Sequence, residues 1–346
     1  EICACLVGSE MCIRDRLYIM EIKGFTYGWD SHKGMLGTEK ANESVKALAA
    51  MGGNWAALAF AVTQEKFSSS RFGMDFRFVD TDREIETAIK QLKDSGLKVC
   101  LKPILNCEDG TWRANITFPE REFPIYDEHG RLKSYWNEWF SCYTAFICHY
   151  AEIAEYTGCE MLCIGCEMIG TEHKEEQWRE LIAKVREIYH GPLVYNANHG
   201  KEENVTWFDA LDYIGTSAYY PVEKEGGASA DEMVKAWEHH KVGMKKIAEK
   251  FGKKIIFMEI GCRSARGCAA MPWDFVHQEF PRDEDEQANF YESALRAMCD
   301  EPYFEGFFWW DWETNLMAPE RIAVDTGFGI HGKKAEKVLT EWYRNK

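Results

Sequence analysis

Short, almost continuously apolar runs alternate with longer amphipathic stretches eight times between Ile22 and the C-terminus. Runs of this kind are typical of parallel strands that are covered by helices on both faces. The predicted strands are Ile22–Thr26, Asn54–Phe60, Lys98–Ile104, Met161–Cys166, Leu193–Asn196, Tyr213–Ala218, Ile255–Met258 and Gly306–Trp310. Strands that alternate with helices in this way predict a parallel sheet built from βαβ units.

The stretches between these strands have the period of a helix. Apolar residues recur at i, i+3, i+4 and i+7 from Ile85 and again from Trp178, which predicts helices with one buried face. Thr81 and Ser229 each precede a glutamate by three residues, a spacing typical of a capping box at a helix start. Further helices are predicted at Thr38–Met51, Tyr135–Tyr156, Val205–Leu211, Glu284–Cys299 and Lys333–Tyr343. Eight strand–helix pairs favour a closed barrel over an open doubly wound sheet, so we predict a single (β/α)8 TIM barrel.

One barrel domain is predicted over residues 20–346, because no repeat or low-complexity linker interrupts the series. Residues 1–19 have no clear period and are predicted to be a non-native or disordered leader. Met11–Arg16 resembles translated sequencing-adapter read-through, which places the natural start near Met20. A signal peptide would then be missing, whereas the chain as given predicts a cytoplasmic protein.

The charge balance restricts the classes of partner. With 41 Lys+Arg against 57 Asp+Glu the net charge is −16, which repels nucleic acid and anionic lipid. No run approaches the ~20 apolar residues of a membrane helix. We therefore expect neither nucleic acid nor a membrane as partner, and the sequence leaves the oligomeric state open.

Thirteen cysteines are scattered along the chain, a distribution that predicts buried, reduced thiols rather than a disulfide framework. Cys159, Cys163 and Cys166 are close enough in sequence to suggest a metal site. Strand alternation, however, would point Cys163 and Cys166 to opposite faces, so that they could not bind one ion. We expect neither a metal nor an organic cofactor.

Two predicted strands end at a glutamate. The fourth ends Leu162-Cys-Ile-Gly-Cys-Glu167 and the seventh ends Ile255-Ile-Phe-Met-Glu259. Either residue alone would be an ordinary surface glutamate at a strand end, but a barrel places the ends of both strands at one mouth. Hydrolysis of a glycosidic bond needs two carboxyl groups, one to protonate the leaving oxygen and one to stabilise the sugar cation. This pair therefore predicts a glycosidase.

The two longest predicted connections, Leu105–Ser134 and Ile260–Asp283, follow the third and seventh strands and are rich in aromatic residues. Long loops at this end of a barrel usually build the active site. Trp112 and Arg113 in the first of them are candidate sugar contacts. Trp310 is the candidate floor for the cleaved sugar, and alternation then points Trp309 into the helix layer.

Several segments together resemble glycoside hydrolase family 113. They are the two glutamate strand ends, Lys23-Gly-Phe-Thr-Tyr-Gly-Trp29, Asp109-Gly-Thr-Trp-Arg113 and Phe308-Trp-Trp-Asp-Trp312. The resemblance extends from about Ile22 to the C-terminus. It implies a retaining barrel glycosidase, with endo-β-1,4-mannanase as the best-known activity, Glu167 as acid/base and Glu259 as nucleophile. It also implies that Trp29 contributes to the sugar site and that Tyr219 contacts the nucleophile, although Tyr219 could instead be a half-buried aromatic at the rim.

Cys166 departs from the pattern of the clan to which this family belongs. Clan members commonly have an asparagine immediately before the acid/base, where it binds the sugar 2-hydroxyl, and a thiol is a weak partner. Asn196, at the end of the fifth strand, is a candidate for part of that contact. The departure leaves the sugar open, so an exo-β-mannosidase and a β-1,4-glucanase or xylanase remain alternatives to an endo-mannanase on an oligo- or polysaccharide. A catalytically inactive sugar-binding barrel is the alternative outside enzymes.

Overall fold

The computed structural model describes residues 20–73, 75, 77–126, 130 and 132–345; the prediction for residues 1–19 lies outside this range. Ten strands are present in this part of the chain: β1 (Ile22–Tyr27), β2 (Trp55–Gln64), β3 (Lys98–Cys107), β4 (Glu122–Tyr126), β5 (Leu132–Ser134), β6 (Met161–Cys166), β7 (Leu193–Asn198), β8 (Tyr213–Ser217), β9 (Ile255–Ile260) and β10 (Phe304–Trp312). Eight of them form a closed barrel in the order β1-β10-β9-β8-β7-β6-β3-β2. The predicted (β/α)8 TIM barrel is confirmed, and β4 and β5 form a separate antiparallel hairpin in the loop after β3.

The helices pack outside the barrel. They are α1 (Glu39–Met51), α2 (Asp82–Asp94), α3 (Tyr135–Thr157), α4 (Glu175–Arg186), α5 (Ala230–Phe251), α6 (Glu284–Met298), the short α7 (Pro319–Ile322) and α8 (Lys334–Asn345). Both predicted capping boxes are present, with Thr81 before α2 and Ser229 before α5. None of the helices in the described part of the chain is long and apolar enough to cross a membrane.

The predicted helix Val205–Leu211 is wrong. The chain after β7 forms two short 3-10 turns, Glu202–Asn204 and Phe208–Ala210. A segment this short gains few helical hydrogen bonds to offset nucleation. Tertiary contacts of Trp207 dominate instead, because its ring stacks on Trp178 with centroids 4.7 Å apart and is fully buried.

A register shift in β6 points the side chain of its last residue, Cys166, into the barrel interior. Cys163 pairs with Val194 and Cys166 pairs with Asn196, so β6 has one more residue than β7 between these pairs. Cys163 packs with Met258 in one interior cluster and Cys166 packs in another. The prediction that Cys163 and Cys166 point to opposite faces is therefore wrong, because an extra residue in a strand resets the alternation. Among the described residues, no three potential ligands are grouped to hold a metal.

A second register shift lies at the end of β9. Thr216 pairs with Phe257 and Ser217 pairs with Glu259, so Met258 is an extra residue relative to β8. Met258 packs inside the barrel, and the carboxylate of the next residue, Glu259, is 2.5 Å from the fully buried ammonium of Lys102. Each glutamate therefore follows a local break in strand alternation, a feature that re-aims side chains near functional sites.

Gly306 lies where β10 joins β1, and we expect its replacement by alanine to destabilise the barrel. Its φ is +148°, and an added Cβ would lie 2.1 Å from the carbonyl oxygen of Ile22. Strain at such a position and displacement of β1 should lower the free energy of unfolding by about 3 kcal/mol or more. Gly243→Ala is the matched control, because an added Cβ in this helix has open space and should stabilise α5 by ~0.5–1 kcal/mol. Urea unfolding of both variants measures this, and equal stabilities would contradict it.

Candidate active site

Glu167 follows β6 with a backbone φ of +53°. This left-handed conformation is unfavourable for a residue with a side chain, and a hydrogen bond of 2.7 Å from its N–H to the carbonyl of Asn196 helps to fix it. The carboxylate accepts hydrogen bonds from Asn198 Nδ2 at 3.1 Å and from Arg113 Nη2 at 2.8 Å. Glu167 is thus held at the barrel mouth by two neighbouring polar side chains.

Glu259 is almost completely buried, with 3% of its surface exposed, and its two oxygens have different surroundings. Oε1 accepts hydrogen bonds from Lys102 Nζ at 2.5 Å, Asn196 Nδ2 at 3.1 Å and Cys166 Sγ at 3.3 Å. Oε2 accepts a hydrogen bond from the hydroxyl of Tyr219 at 3.2 Å. Oε1 is therefore fixed by three donors, which leaves Oε2 as the oxygen with more capacity to react.

The charges around Glu259 keep it ionised. Burial by itself would raise the pKa of Glu259, but the cations of Lys102 and Arg113, followed by hydrogen bonds, outweigh burial and lower the pKa below its usual value. Burial likewise opposes the charge of Lys102, yet the carboxylate of Glu259 and the neighbouring thiols raise the pKa of Lys102. The two side chains thus form an ion pair inside the barrel.

Cys166 directly precedes Glu167 in the chain. It contacts Glu259 and also Arg113, the side chain that holds Glu167. Burial, then the negative charge of Glu259, raises the pKa of the Cys166 thiol, so the thiol stays protonated and can donate to Glu259. Its sulfur also accepts hydrogen bonds from Asn196 Nδ2 at 3.1 Å and Arg113 Nη2 at 3.5 Å. The departure from the clan pattern therefore places a weak donor on the carboxylate of Glu259.

Asn196 and Tyr219 both face Glu259. The amide of Asn196 is oriented by the hydroxyl of Ser217, which donates to its Oδ1 at 3.3 Å, and Asn196 is fully buried. Its Nδ2 therefore points toward Glu259 rather than into open space. The contact expected for Tyr219 is present in the structure, and the rim position considered as its alternative is not, since Tyr219 is only 7% exposed.

The loop after β3 brings Trp112 and Arg113 to Glu167. Trp112 is 45% exposed and its Nε1 lies 3.4 Å from Glu167 Oε2. The side chain of Arg113 is 11% exposed, and its guanidinium also donates to the carbonyl of Cys166 at 3.0 Å and to Asn106 Oδ1 at 2.9 Å. Trp112 therefore has exposed ring surface for a sugar, whereas Arg113 mainly holds the carboxylate in place.

Trp29 and Trp310 form an aromatic pair at the mouth. Their ring centroids are 5.4 Å apart, both are partly exposed, and Trp29 packs against the interior cluster that contains Cys166. Trp309 points the other way, as predicted: its Nε1 donates to the hydroxyl of Tyr343 in α8 and its ring stacks on Tyr291 in α6. The exposed faces of Trp29 and Trp310 are suited to the apolar C–H face of a pyranose.

Four residues near the two glutamates were not predicted from the sequence: Lys102, Asn106, Asn198 and His199. Lys102 had a signal, because it is a charged residue inside a run of apolar residues that was predicted to be a buried strand. His199 stacks on Trp273 with ring centroids 5.5 Å apart, and Trp273 is 44% exposed. An exposed tryptophan therefore flanks the site from the loop after β9 as well.

Replacing Cys166 by alanine should shift the acid limb of the pH profile of kcat/KM. The loss of one neutral donor should raise the pKa of Glu259 toward its usual value. On the expectation that Glu259 acts as an ionised nucleophile, activity falls as the pH drops through its pKa, so the acid limb of kcat/KM should move to higher pH in Cys166→Ala. A pH profile with an aryl glycoside measures the shift, and Cys299→Ala, at a buried cysteine outside the barrel interior, is the control. An unchanged limb would contradict the role of the thiol.

Comparison with known proteins gives a consistent result. The sequence profile of glycoside hydrolase family 113 matches residues 25–333. A family 113 β-mannanase from Alicyclobacillus acidocaldarius, solved in complex with ManMIm, is 39% identical; the alignment covers 96% of this chain and 99% of that one, with a TM-score of 0.84. A complex of another family 113 β-1,4-mannanase is 35% identical, with coverage of 94% and 100% and a TM-score of 0.84.

More distant structures share only the fold. A β-glucuronidase from Ruminococcus gnavus is 13% identical with a TM-score of 0.58, and the match covers 94% of this chain but 50% of the β-glucuronidase. None of the curated proteins matches this chain.

Proposed function

This chain belongs to glycoside hydrolase family 113, and we propose that it is a retaining endo-β-1,4-mannanase with Glu167 as acid/base and Glu259 as nucleophile. The observation that carries this proposal is the paired carboxylates on the ends of β6 and β9, whose surroundings differ. Glu259 is 3% exposed and accepts from the Lys102 ammonium and three neutral donors, whereas Glu167 accepts from the Arg113 guanidinium, from Asn198 and from Trp112, which is 45% exposed. Two carboxyl groups with separate roles are what glycoside hydrolysis requires.

In the first step, Oε2 of Glu259 attacks the anomeric carbon and the glycosidic C–O bond breaks. Protonated Glu167 transfers its proton to the departing oxygen, so the leaving chain departs as an alcohol. In the second step, Glu167 takes a proton from water as the water oxygen bonds to the anomeric carbon. The bond to Glu259 breaks as this new bond forms, its electron pair returns to the carboxylate, and the anomeric configuration is retained.

The surroundings of Glu259 support a nucleophile rather than a general base. A carboxylate that accepts several hydrogen bonds and pairs with a cation is a weak base, and Glu259 has four such donors. An inverting enzyme would need a basic carboxylate with a water molecule beside it.

Mannan is the proposed substrate because the similar solved enzymes of this family are described as β-mannanases. Endo action is favoured by two exposed tryptophans that flank the two glutamates on separate loops, Trp112 after β3 and Trp273 after β9. Aromatic faces on both sides of the cleaved bond would bind several sugar units of one chain.

Product analysis tests the substrate and the endo action together. The purified protein is incubated with mannan, manno-oligosaccharides, cellulose and xylan, and the products are separated by chromatography. We expect a ladder of manno-oligosaccharides early in the digestion. Release of mannose alone from chain ends would indicate an exo-β-mannosidase, hydrolysis confined to cellulose or xylan would indicate a glucanase or xylanase, and binding without hydrolysis would indicate an inactive barrel.

A further inference from the structure

We infer that Lys102 is a positioning residue for the second step, in which its charge promotes release of the sugar from Glu259. This inference rests on the proposed function, because it concerns the covalent intermediate of that mechanism. It assigns a task to a lysine that lies beneath the site, far from solvent, and that has no place in the proton transfers described above.

Lys102 is completely enclosed by the barrel. It lies in the middle of β3 with no exposed surface, and its ammonium contacts Glu259 Oε1 at 2.5 Å and the carbonyl of Met258 at 3.3 Å. A buried charge in a protein interior requires a partner of opposite charge. Glu259 is the carboxylate that fills this requirement in the free enzyme.

The reaction removes that partner charge. When the anomeric carbon bonds to Oε2, Glu259 becomes a neutral ester, and the pair changes from no net charge to one positive charge in an enclosed site. Lys102 then faces only the carbonyl oxygen of the ester, the carbonyl of Met258 and nearby thiols. The covalent intermediate is therefore less favourable than the free carboxylate as a partner for Lys102.

The two steps should respond to Lys102 in opposite directions. In the first step the lysine stabilises the starting carboxylate more than the transition state, in which part of the negative charge has moved to the sugar. In the second step it stabilises the transition state more than the starting ester, because negative charge returns to Oε1 as the bond to the sugar breaks. Only interactions that strengthen toward a transition state accelerate a step, so Lys102 should accelerate release.

The experiment measures the covalent intermediate directly. Lys102→Met, Lys102→Arg and the wild type are mixed with 2,4-dinitrophenyl β-mannobioside, whose good leaving group makes the first step fast. Rapid quenching followed by intact-protein mass spectrometry gives the fraction of enzyme that carries sugar, and absorbance gives the burst of dinitrophenolate. Lys98→Met is the matched control, because Lys98 lies on the same strand but is exposed and contacts the ring of Trp55.

In Lys102→Met we expect the rate constant for sugar release to fall about 10- to 100-fold, the effect of losing a charge-assisted hydrogen bond. The glycosylated fraction should rise with a burst of dinitrophenolate, Lys102→Arg should restore much of the rate, and Lys98→Met should match the wild type. If Lys102→Met does not fold by circular dichroism, Lys102→Gln keeps an N–H donor and removes only the charge, with the same expected accumulation.

Release at the parental rate in a folded, neutral variant would overturn the role of Lys102. At a pH where Glu259 is ionised in every variant, slower dinitrophenolate formation without accumulation would also overturn it, since the lysine would then act in the first step. A failure of the proposed function looks different. In that case the wild type itself would form no covalent adduct on Glu259, whatever residue occupies position 102.

Discussion

Glu259→Ala is expected to lower kcat/KM on manno-oligosaccharides by on the order of 10⁴-fold or more, the scale of losing a catalytic nucleophile. The physical reason is that alanine offers no atom to bond to the anomeric carbon. Added azide should restore turnover and yield the α-glycosyl azide, because the small anion can enter the space left by the carboxylate and attack from that face. Steady-state kinetics and NMR of the azide product measure both effects.

The alanine variant also leaves the ammonium of Lys102 buried without its partner, which destabilises a fold by ~3–5 kcal/mol. Glu259→Gln keeps the shape and an acceptor oxygen for Lys102 but removes the negative charge, so it should lose less stability than the alanine variant and be equally inactive. Glu202→Gln is the matched control, because Glu202 is also buried and accepts a hydrogen bond of 2.6 Å from Thr216 in β8. Turnover by either Glu259 variant at the parental rate would remove Glu259 as nucleophile.

Glu167→Ala is expected to affect substrates according to their leaving group. On manno-oligosaccharides, which need protonation of the departing oxygen, kcat/KM should fall about 10²- to 10⁴-fold, the usual contribution of a general acid. On a dinitrophenyl glycoside, the first step should stay close to the parental rate and the second should slow, because water loses its base. Azide should then raise turnover and yield the β-glycosyl azide, since it needs no base.

Glu172→Gln is the control for Glu167. Glu172 is buried five residues further along the chain and accepts a hydrogen bond from Tyr195 at 2.8 Å. Burial raises the pKa of Glu172 to about 7, so a neutral glutamine should be well tolerated there. An equal loss on both types of substrate in Glu167→Ala would contradict its role as acid/base.

The order of strands and helices could be predicted from the sequence because each βα unit has a local signature. Short apolar runs predicted the strands of the barrel, and the capping residues Thr81 and Ser229 predicted where two helices begin. Val205–Leu211 failed because the contacts of Trp207 outweigh a weak local preference. Local patterns thus define the elements but not the places where tertiary packing overrides them.

The glutamates could be predicted from their strand ends, but their surroundings could not. The interior positions of Cys166 and Glu259 depend on register shifts in β6 and β9, and the alternation rule assumes that no such shift occurs. Lys102 was visible only as a charge in an apolar run, since its partner lies 157 residues away in the chain. Long-range partners of this kind become apparent only when the barrel closes.

Trapping the covalent intermediate tests the central claim most directly. The wild-type protein is incubated with a 2-deoxy-2-fluoro-β-mannosyl fluoride, which forms the glycosyl-enzyme but releases it slowly, and is then digested for peptide mass spectrometry. The expected result is one fluorosugar on the peptide that contains Glu259, bound through its carboxyl group. A sugar on another residue, or an active enzyme that forms no adduct and gives products of inverted configuration, would contradict the assignment of Glu259 as the nucleophile of a retaining glycosidase.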